Sequence, residues 1–374
     1  MFHRFELENW QSAYEQTVRF NLADSTLEPV RLRELIDERG ELEELLETAL
    51  YYPEVNGERD LREAIARLYP DGVAADDVLV TVGASEANAA VVDTLCGPDD
   101  QVIVMQPGYQ QVWGLATNNG SDVREFPLDP DDGWRPDLDA LESLASDATR
   151  LIYVCNPNNP SGYVLTEAEI VRIVDIAERH DAWILADEVY NGSERLSHKP
   201  PATFVGRYDK VIGVNSMSKT YGLSGLRIGW AIARPDMVEK LWRRHEYAAI
   251  ATGRLDNVLA RRALTEPRRG ALLKRNRESM NRGWDVLRTW VEATDGLVTV
   301  QEPEATGLAF VRYHLDLSSV EVGHAIREGA SVLVCPGVFF GIEGHLRINF
   351  GFGVEYVRDA LAATTPVLRA LEAG

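Results

Sequence analysis

The sequence predicts an α/β fold in which a doubly wound, mostly parallel sheet forms a large domain beside a smaller α+β domain. Short, β-rich apolar runs alternate with helical stretches between residues 76 and 216, and this alternation is typical of a parallel sheet covered by helices. Beyond about residue 270 the pattern changes to one long charged helix followed by further strand-like runs. A chain of 374 residues is long enough for one large and one smaller domain.

The elements of the large domain follow one another along the chain. Residues 166–180 are predicted to form a helix, because the apolar residues recur at helical spacing and because Thr166 and Glu169 form a capping box. The same patterns predict strands at 76–83, 100–105, 150–156, 182–190 and 210–216, and a helix at 85–95.

The remaining elements are assigned to the smaller domain. A long helix is predicted at 268–292, and strand-like runs follow at 307–314, 331–337 and 345–351. About 45 residues at the N-terminus are expected to join them. The predicted division is therefore 46–270 for the large domain, and 1–45 with 271–374 for the small domain.

The charge balance excludes several classes of partner. Asp and Glu total 59 against 38 Lys and Arg, which gives a formal net charge of −21. This charge repels nucleic acid and anionic membranes, so neither is expected as a partner. The acidity and the excess of arginine over lysine suit a high-salt cytoplasm, although a GC-rich genome would give the same arginine bias.

The cysteines and the apolar runs predict a cytoplasmic protein. Cys96, Cys155 and Cys335 are odd in number, widely spaced and set in apolar runs, so buried thiols are expected rather than disulfides or metal ligands. The histidines are scattered, and no metal site is expected. No apolar run approaches the ~20 residues of a membrane helix, and the N-terminus lacks a signal-peptide pattern.

Functional side chains are expected at the carboxyl ends of the parallel strands, where ligands bind in open α/β sheets. Each predicted strand is followed by residues of a different chemistry. In chain order these are the small-residue turn Gly83, Ala84 and Ser85; the aromatic Tyr109; the amide Asn159; the carboxylate Asp187 with the phenol Tyr190; and the two serines Ser216 and Ser218 with Lys219.

Each of these residues alone also has a purely structural interpretation. Ser85 suits the N-cap of a helix as well as a phosphate-binding turn. Tyr109 suits an ordinary turn, Tyr190 suits a packed ring, and the run "NPNNPSG" at 156–162 suits a chain of turns. Asp187 is the exception, because a carboxylate at the end of an apolar strand is costly unless it meets a donor or a cation.

Lys219 gives the set a chemical meaning. Lysine is rare in this chain, and unlike arginine its amine can lose a proton, attack a carbonyl and form an imine. A phosphorylated pyridine aldehyde needs that amine, an acid for the ring nitrogen, donors for the phenolate oxygen, a packed ring face, and a cap with cations for the phosphate. Lys219 offers the amine, and Asp187 offers the acid for the ring nitrogen. Asn159 and Tyr190 offer donors for the phenolate oxygen, and Tyr109 offers a ring for packing. The phosphate is met by Ser85, Ser218 and Arg227.

From "YYPEVNG" at 51–57 to "HLRINFG" at 345–351, the chain resembles the class I/II aminotransferases, which are fold-type I pyridoxal-phosphate enzymes. The stretch "SMSKTYGLSGLRIGW" at 216–230 is close to that family's lysine motif. The resemblance implies pyridoxal 5′-phosphate as the cofactor, held as an imine by Lys219. It also implies phosphate contacts from the turn at Gly83 together with Ala84, Ser85, Ser216, Ser218 and Arg227.

Two further residues take their roles from the resemblance alone. Tyr52 matches a tyrosine that in the family reaches the phosphate of the neighbouring subunit's cofactor, which implies a homodimer. Arg347 matches the arginine that grips the substrate α-carboxylate, a planar, two-pronged contact that suits guanidinium. Asn159 is implied in the substrate site as well as in the cofactor site.

The substrate side-chain pocket departs from the family pattern. Ala23, Asp24 and Ser25 stand where the family often has a glycine, and Gln110 stands where a proline often follows the tyrosine. Arg254 lies in a segment that often lines the partner's site. It would suit an acidic substrate side chain, although a surface salt bridge is the favoured interpretation.

The implied activity is transfer of an amino group from an L-amino acid to a 2-oxo acid, with Lys219 moving the Cα proton and Asp187 keeping the ring protonated. A lyase, or a cyclase such as capreomycidine synthase, would use the same residues, and no motif separates these reactions. A regulator's ligand-sensing domain is the non-catalytic alternative. It is disfavoured because the segment 21–29 follows the start of the sequence too closely for a DNA-binding module.

Overall fold

The structure is a computed structural model that describes residues 2–36, 39–197 and 202–373. The helices are α1 Glu6–Tyr14, α2 Arg39–Leu46, α3 Arg59–Ala66, α4 Gly83–Leu95, α5 Gln110–Asn118, α6 Leu138–Leu144, α7 Glu167–Arg179, α8 Pro235–Ala248, α9 Arg254–Leu264, α10 Arg268–Glu292, α11 Ser319–Ala330 and α12 Val354–Glu372. The strands are β1 Phe20–Asn21, β2 Val78–Val82, β3 Gln101–Gln106, β4 Asp122–Asp129, β5 Arg135–Pro136, β6 Thr149–Cys155, β7 Trp183–Asp187, β8 Val211–Ser216, β9 Ile228–Ile232, β10 Val298–Val300, β11 Leu308–Tyr313, β12 Val332–Leu333, β13 Cys335–Pro336 and β14 His345–Asn349.

The large sheet has the strand order β2-β9-β8-β7-β6-β3-β4-β5 in the described part of the chain. Its centre, from β8 to β4, is parallel, whereas β9 runs antiparallel to both of its neighbours. The prediction of a doubly wound, mostly parallel sheet is therefore confirmed. The sequence pattern missed β4, because most of its side chains are at least partly exposed and polar residues interrupt the apolar run.

Both faces of this sheet are buried, which explains why its central strands are almost wholly apolar. Side chains of a strand alternate between the faces, so Ile103 and Met105 pack in one core with helix α7. Val102 and Val104 pack in a second core with helix α4. The helices thus hold the sheet from both sides and leave the carboxyl ends of the strands open.

The smaller sheet has the order β10-β11-β14-β13, and its paired strands are antiparallel. The run 331–337, expected to be one strand, is instead divided between two sheets, because β12 pairs with β1 and β13 pairs with β14. Between them, the carbonyl of Val334 accepts a hydrogen bond from Trp10 Nε1 at 2.8 Å. The domain boundaries at residues 46 and 270 remain a prediction.

Two helix starts test the capping arguments. In α7, the Glu169 amide donates to Thr166 Oγ1 at 3.3 Å and the Thr166 amide donates to Glu169 Oε2 at 2.7 Å, so the predicted capping box is present. Helix α4 begins at Gly83 and not at 85, and its N-cap residue is Val82. The N-cap interpretation of Ser85 is therefore wrong.

Three properties of the described residues bear on the class of protein. Cys96, Cys155 and Cys335 are buried and unpaired, in agreement with the prediction of buried thiols. Within residues 2–36, 39–197 and 202–373, no helix combines the length and apolar character required to cross a membrane. The same ranges contain no group of three or more His, Cys, Asp and Glu placed to hold a metal ion.

Candidate active site

A cavity of about 510 Å³ opens at the carboxyl ends of the central parallel strands, and its size is typical of small-molecule sites. Most of the residues that the sequence singled out line it: Ala84, Ser85, Tyr109, Asn159, Asp187, Tyr190, Ser216, Ser218, Lys219 and Arg227. They meet there because parallel strands bring residues distant in sequence to one edge of the sheet. Three predicted residues, Gly83, Tyr52 and Arg347, are not part of this lining.

Lys219 follows β8 and points its amine into the cavity, where Nζ lies 2.6 Å from Ser25 Oγ. Burial lowers the pKa of Lys219, while the carboxylates of Asp24 and Glu8 act to raise that pKa. A lowered pKa favours the unprotonated amine, which is the nucleophilic form.

Asp187 ends strand β7 and is fully enclosed. Its Oδ2 atom accepts from Asn88 Nδ2 at 3.1 Å and Tyr153 Oη at 3.4 Å, and Oδ1 accepts from the Val189 amide at 3.3 Å. Burial raises the pKa of Asp187 and the hydrogen bonds lower that pKa in part. Within the described ranges, no Lys or Arg nitrogen lies within 4 Å of this carboxylate. A buried carboxylate without a cation suits a protonated ring nitrogen as its partner.

Tyr190 presents an unused donor to the same cavity. Its hydroxyl is buried and is not in hydrogen-bond geometry with any residue that the structure describes. Burial raises the pKa of Tyr190, and the nearby Ser25 side chain lowers that pKa in part. Buried polar groups in native proteins are normally paired. A ligand oxygen in the cavity would satisfy this hydroxyl.

The first turn of α4 and Arg227 form a cradle at the end of the cavity. Arg227 has a left-handed backbone with φ +49°, and its Nη1 donates to Ser218 Oγ at 3.3 Å and to the Ser224 carbonyl at 3.1 Å. A Cβ on Gly83 would lie 2.4 Å from Arg227 Nη2, and a Cβ on Gly229 would lie 2.4 Å from the Ala84 amide nitrogen. Position 229 therefore needs glycine because the contact is with backbone, and position 83 needs glycine because the φ of Gly83 is +72°, where residues other than glycine are strained. A helix N-terminus beside a guanidinium fits a phosphate.

Arg347 lies beside the cavity, on β14, and is completely buried. Its Nη1 donates to Asn159 Oδ1 at 3.0 Å, and its Nη2 donates to the Ala23 carbonyl at 2.5 Å and to Cys335 Sγ at 3.4 Å. Its Nε is buried without a partner in the described part of the chain. Arg347 thus joins the smaller sheet to the Asn159 turn and to the N-terminal segment.

Two predicted residues lie at the surface, away from the cavity. Tyr52 is 78% exposed and lines a shallow pocket with Leu50, Pro53 and Arg254. Arg254 forms an ion pair with Glu58, and its guanidinium carbon lies 4.8 Å from the centre of the Tyr51 ring. Arg254 therefore has an ion-pair partner within its own chain, as the favoured interpretation expects, and its position relative to the partner's site stays a prediction.

The sequence did not point to several residues of the site and its surroundings, among them Asn88, His245 and Glu8. Asn88 binds Asp187, and its signal is an amide on the otherwise apolar face of α4. His245 is buried, with Nδ1 2.8 Å from Glu86 Oε1 and Nε2 2.9 Å from the Val55 carbonyl, so it links α4 to the loop after Tyr52. Glu8 lines the cavity from helix α1, and the sequence carries no local signal for it.

The chain belongs to the aminotransferase class I and II family, whose sequence profile matches residues 22–363. It is 32% identical to capreomycidine synthase of Streptomyces vinaceus, over 83% of this chain and 79% of that protein. It is 29% identical to aromatic-amino-acid aminotransferase 2 of Thermococcus litoralis, over 85% of this chain and 84% of that protein.

Solved structures agree with this assignment. A PLP-dependent aminotransferase from Streptococcus suis superposes with a TM-score of 0.92 at 30% identity, over 99% of this chain and 98% of that chain. The predictions of family, of fold-type I architecture, of an aminotransferase class enzyme and of pyridoxal phosphate as cofactor are confirmed. The family implies amino acid and 2-oxo acid substrates.

Proposed function

We propose that this chain exchanges an amino group between an L-amino acid and a 2-oxo acid, with Lys219 bonding the cofactor and moving the substrate proton. One observation carries the proposal: Lys219 and Asp187 line the same cavity. Burial lowers the pKa of Lys219 and raises the pKa of Asp187, so in each residue it favours the neutral form. A cavity that lowers the pKa of an amine and raises the pKa of a buried carboxylate suits a protonated pyridine aldehyde, which reacts with the amine and pairs with the carboxylate.

The cofactor-binding roles follow from the fit of the residues. When bound, pyridoxal phosphate supplies an aldehyde carbon that bonds amines and a ring that takes up negative charge from the substrate. Asp187 would hold the proton on the ring nitrogen, and the unpaired hydroxyl of Tyr190 would donate to the ring oxygen together with Asn159. The phosphate would be held by residues at the start of α4 and near the lysine: Ala84, Ser85, Ser216, Ser218 and Arg227.

The substrate is oriented and deprotonated by the chain's own groups. Arg347 would pair with the α-carboxylate, since its buried guanidinium already contacts Asn159 in the cavity wall and retains an unpaired Nε in the described part of the chain. The unprotonated Lys219 amine would take the proton from the substrate Cα. Once protonated, the same amine would hold that proton for return. Proton removal by Lys219 would begin the transfer, and water would then supply the oxygen of the 2-oxo acid while the amino group stays with the cofactor.

A single-substrate reaction tests this proposal. One amino acid at a time, from an acidic, aromatic, aliphatic and basic panel, is added to the yellow holoenzyme without any 2-oxo acid. Amino-group transfer stops after one half-reaction, so the visible band should bleach and one equivalent of 2-oxo acid should form per site. A persistent band with ammonia, a cyclised product or a lost side-chain group would contradict the proposal.

A cyclase or lyase remains the second candidate, and one observation favours it: the 32% identity to capreomycidine synthase. The same Lys219 and Asp187 would serve that chemistry, because both reactions begin with removal of the Cα proton. The single-substrate experiment separates the two candidates, since a cyclase or lyase regenerates the yellow form in every turnover.

The proposal includes a cytoplasmic homodimer. Leu50 and Tyr51 are exposed and line the same shallow pocket as Tyr52, and exposed apolar side chains of this kind suit a self-complementary interface. Tyr52 on this surface would reach the partner's phosphate site. The buried, unpaired cysteines suit a reducing compartment.

A further inference from the structure

Glu8 is an ionisable group in the cavity wall that neither the cofactor nor the substrate α-carboxylate requires. The ionisable side chains of the wall include Asp187, Lys219 and Arg227, which serve the ring nitrogen, the reacting amine and the phosphate in the proposed function. The Glu8 carboxylate Oε1 accepts from Tyr109 Oη at 2.8 Å. Among the residues that the structure describes, no Lys, Arg or His lies within ion-pair distance of it.

Helix α1, which carries Glu8, is fixed against the cavity by Gln110. The Gln110 side chain accepts from the Leu7 amide at 3.2 Å and donates to the Arg4 carbonyl at 2.9 Å. Gln110 is itself buried. The residue that departs from the family pattern after Tyr109 therefore positions the helix that supplies the carboxylate.

Further contacts hold the same helix in place. The Phe5 and Tyr109 rings meet edge to face with centroids 5.4 Å apart. Asn118 Oδ1 accepts from the His3 amide at 2.6 Å, and Asn118 Nδ2 donates to the His3 carbonyl at 3.1 Å. Because α1 is held at both its start and its inner face, the position of Glu8 is preorganised.

The field of Glu8 extends over the reacting groups. Its carboxylate acts to raise the pKa of Lys219, which burial lowers, and the pKa of Cys335, the thiol that contacts Arg347. Because Glu8 and Lys219 line the same cavity, a substrate held at Lys219 would place its side chain within reach of the Glu8 charge. Arg254, the residue that would suit an acidic substrate, is already paired with Glu58.

We propose that Glu8 selects amino acids with a cationic side chain, an ammonium or a guanidinium, as substrates of this enzyme. The inference rests on the proposed function and adds the substrate class to it. An unpaired carboxylate in a partly enclosed cavity attracts a cation and repels a second carboxylate. Gln110 is a positioning residue, since it acts through helix α1.

Matched pairs of amino acids test the charge while keeping size and shape. Arginine and citrulline differ in the charge of the side-chain terminus, and lysine and norleucine differ in the terminal ammonium. The holoenzyme is titrated with each, and bleaching of the visible band gives the half-saturating concentration and the limiting rate. In at least one pair, the cationic member should half-saturate at a concentration roughly tenfold or more below that of the neutral member, as expected for a charge-assisted contact.

Glu8→Gln removes the charge and keeps an acceptor for Tyr109. It should abolish most of the preference within the pair, because the half-saturating concentration of the cationic member should rise far more than that of the neutral member. Glu6→Gln is the matched control, because Glu6 lies on the same helix and is exposed. It removes the same charge and should leave the preference intact.

The outcomes separate the inference from the function on which it rests. Equal half-saturation within both pairs for the unmodified enzyme, or equal loss for cationic and neutral members in Glu8→Gln, would overturn the role of Glu8 while amino-group transfer stands. The comparison in the unmodified enzyme needs no variant, so a poorly folded Glu8→Gln does not block the test. If no amino acid bleaches the band, the proposed function fails, and the inference fails with it.

Discussion

The Nζ atom of Lys219 lies 2.6 Å from the Oγ atom of Ser25, which comes from the N-terminal segment and not from the large sheet. The same segment supplies the Ala23 carbonyl to Arg347. The lysine after β8 and the arginine on β14 are thereby connected through three consecutive residues near the N-terminus, Ala23 to Ser25. This segment therefore contacts both Lys219 and Arg347, the two residues proposed to handle the substrate.

Ser25→Ala removes the hydrogen-bond partner of the Lys219 amine and should slow the half-reaction several-fold, since one such bond contributes roughly 1 kcal/mol. The half-saturating concentration of the amino acid should change little. Stopped-flow measurement of the visible band gives both values. Ser25→Thr, which keeps the hydroxyl, is the control and should retain most of the rate. Equal rates in Ser25→Ala and the unmodified enzyme would show that the contact has no part in the reaction.

Asp187→Asn keeps the size of the side chain and removes its charge. Because Asp187 would hold the proton on the ring nitrogen, the substitution should reduce kcat by about 10²-fold or more. The apoenzyme should be as stable as the unmodified apoenzyme or more stable, since a buried carboxylate without a cation is lost. Turnover and urea unfolding measure the two effects. Full activity in Asp187→Asn would remove Asp187 from the proposed mechanism.

The stability of the apoenzyme should depend on pH through Lys219. Burial lowers the pKa of Lys219 in the folded state from the ordinary value of 10.5. Between that lowered value and 10.5, the unfolded chain binds more protons, so the contribution of Lys219 to stability rises with pH through this window. Lys219→Met apoenzyme should therefore be more stable than the unmodified apoenzyme at neutral pH, and the difference should shrink as the pH approaches 10.5. Urea unfolding across this range measures it, and a difference that is constant with pH would contradict the burial argument.

Tyr52 should act in the site of the partner subunit. Sedimentation is expected to show a dimer, and Tyr52→Phe should bind pyridoxal phosphate more weakly, roughly fivefold to tenfold for one lost hydrogen bond to a phosphate. In a mixed dimer, one chain carries Tyr52→Phe and the other carries Lys219→Met. If Tyr52 acts across the interface, the site with the native Lys219 receives the native Tyr52 of the other chain. If Tyr52 acts within its own chain, neither site has both native residues. Recovery of tight binding in that site is the expected result. Mixed dimers without such a site, or a fully active monomer, would contradict action of Tyr52 across the interface, and unchanged cofactor binding in Tyr52→Phe would place Tyr52 outside the cofactor site.

The strand-end residues could be predicted from the sequence because one rule covers them all. In a parallel sheet, residues such as Asp187 and Lys219 meet at one edge whatever their separation in the chain, and Asn159 joins them from the turn after β6. The first residue of helix α4 could not be predicted with the same accuracy. Gly83 suits a turn as well as a helix, and only the structure shows the Glu86 carboxylate accepting from the Val82 amide at 2.5 Å.

Contacts between distant segments could not be predicted. Glu8 and Tyr109 are 101 residues apart, and Ser25 and Lys219 are 194 residues apart. Neither pair shares a helix face or a strand register, so no periodicity reports it. Gln110 departs from the family pattern in the sequence, but its hydrogen bonds to helix α1 depend on the packing of the N-terminal segment.

The most direct test of the central claim is the position of the covalent bond between chain and cofactor. Borohydride reduction of the yellow holoenzyme followed by peptide mapping should place the pyridoxyl label on Lys219 alone, and Lys219→Arg should show neither the visible band nor activity. A label on Lys210, Lys240 or Lys274, or on Lys199, which lies outside the described residues, would contradict the assignment of Lys219 and with it the account of the site.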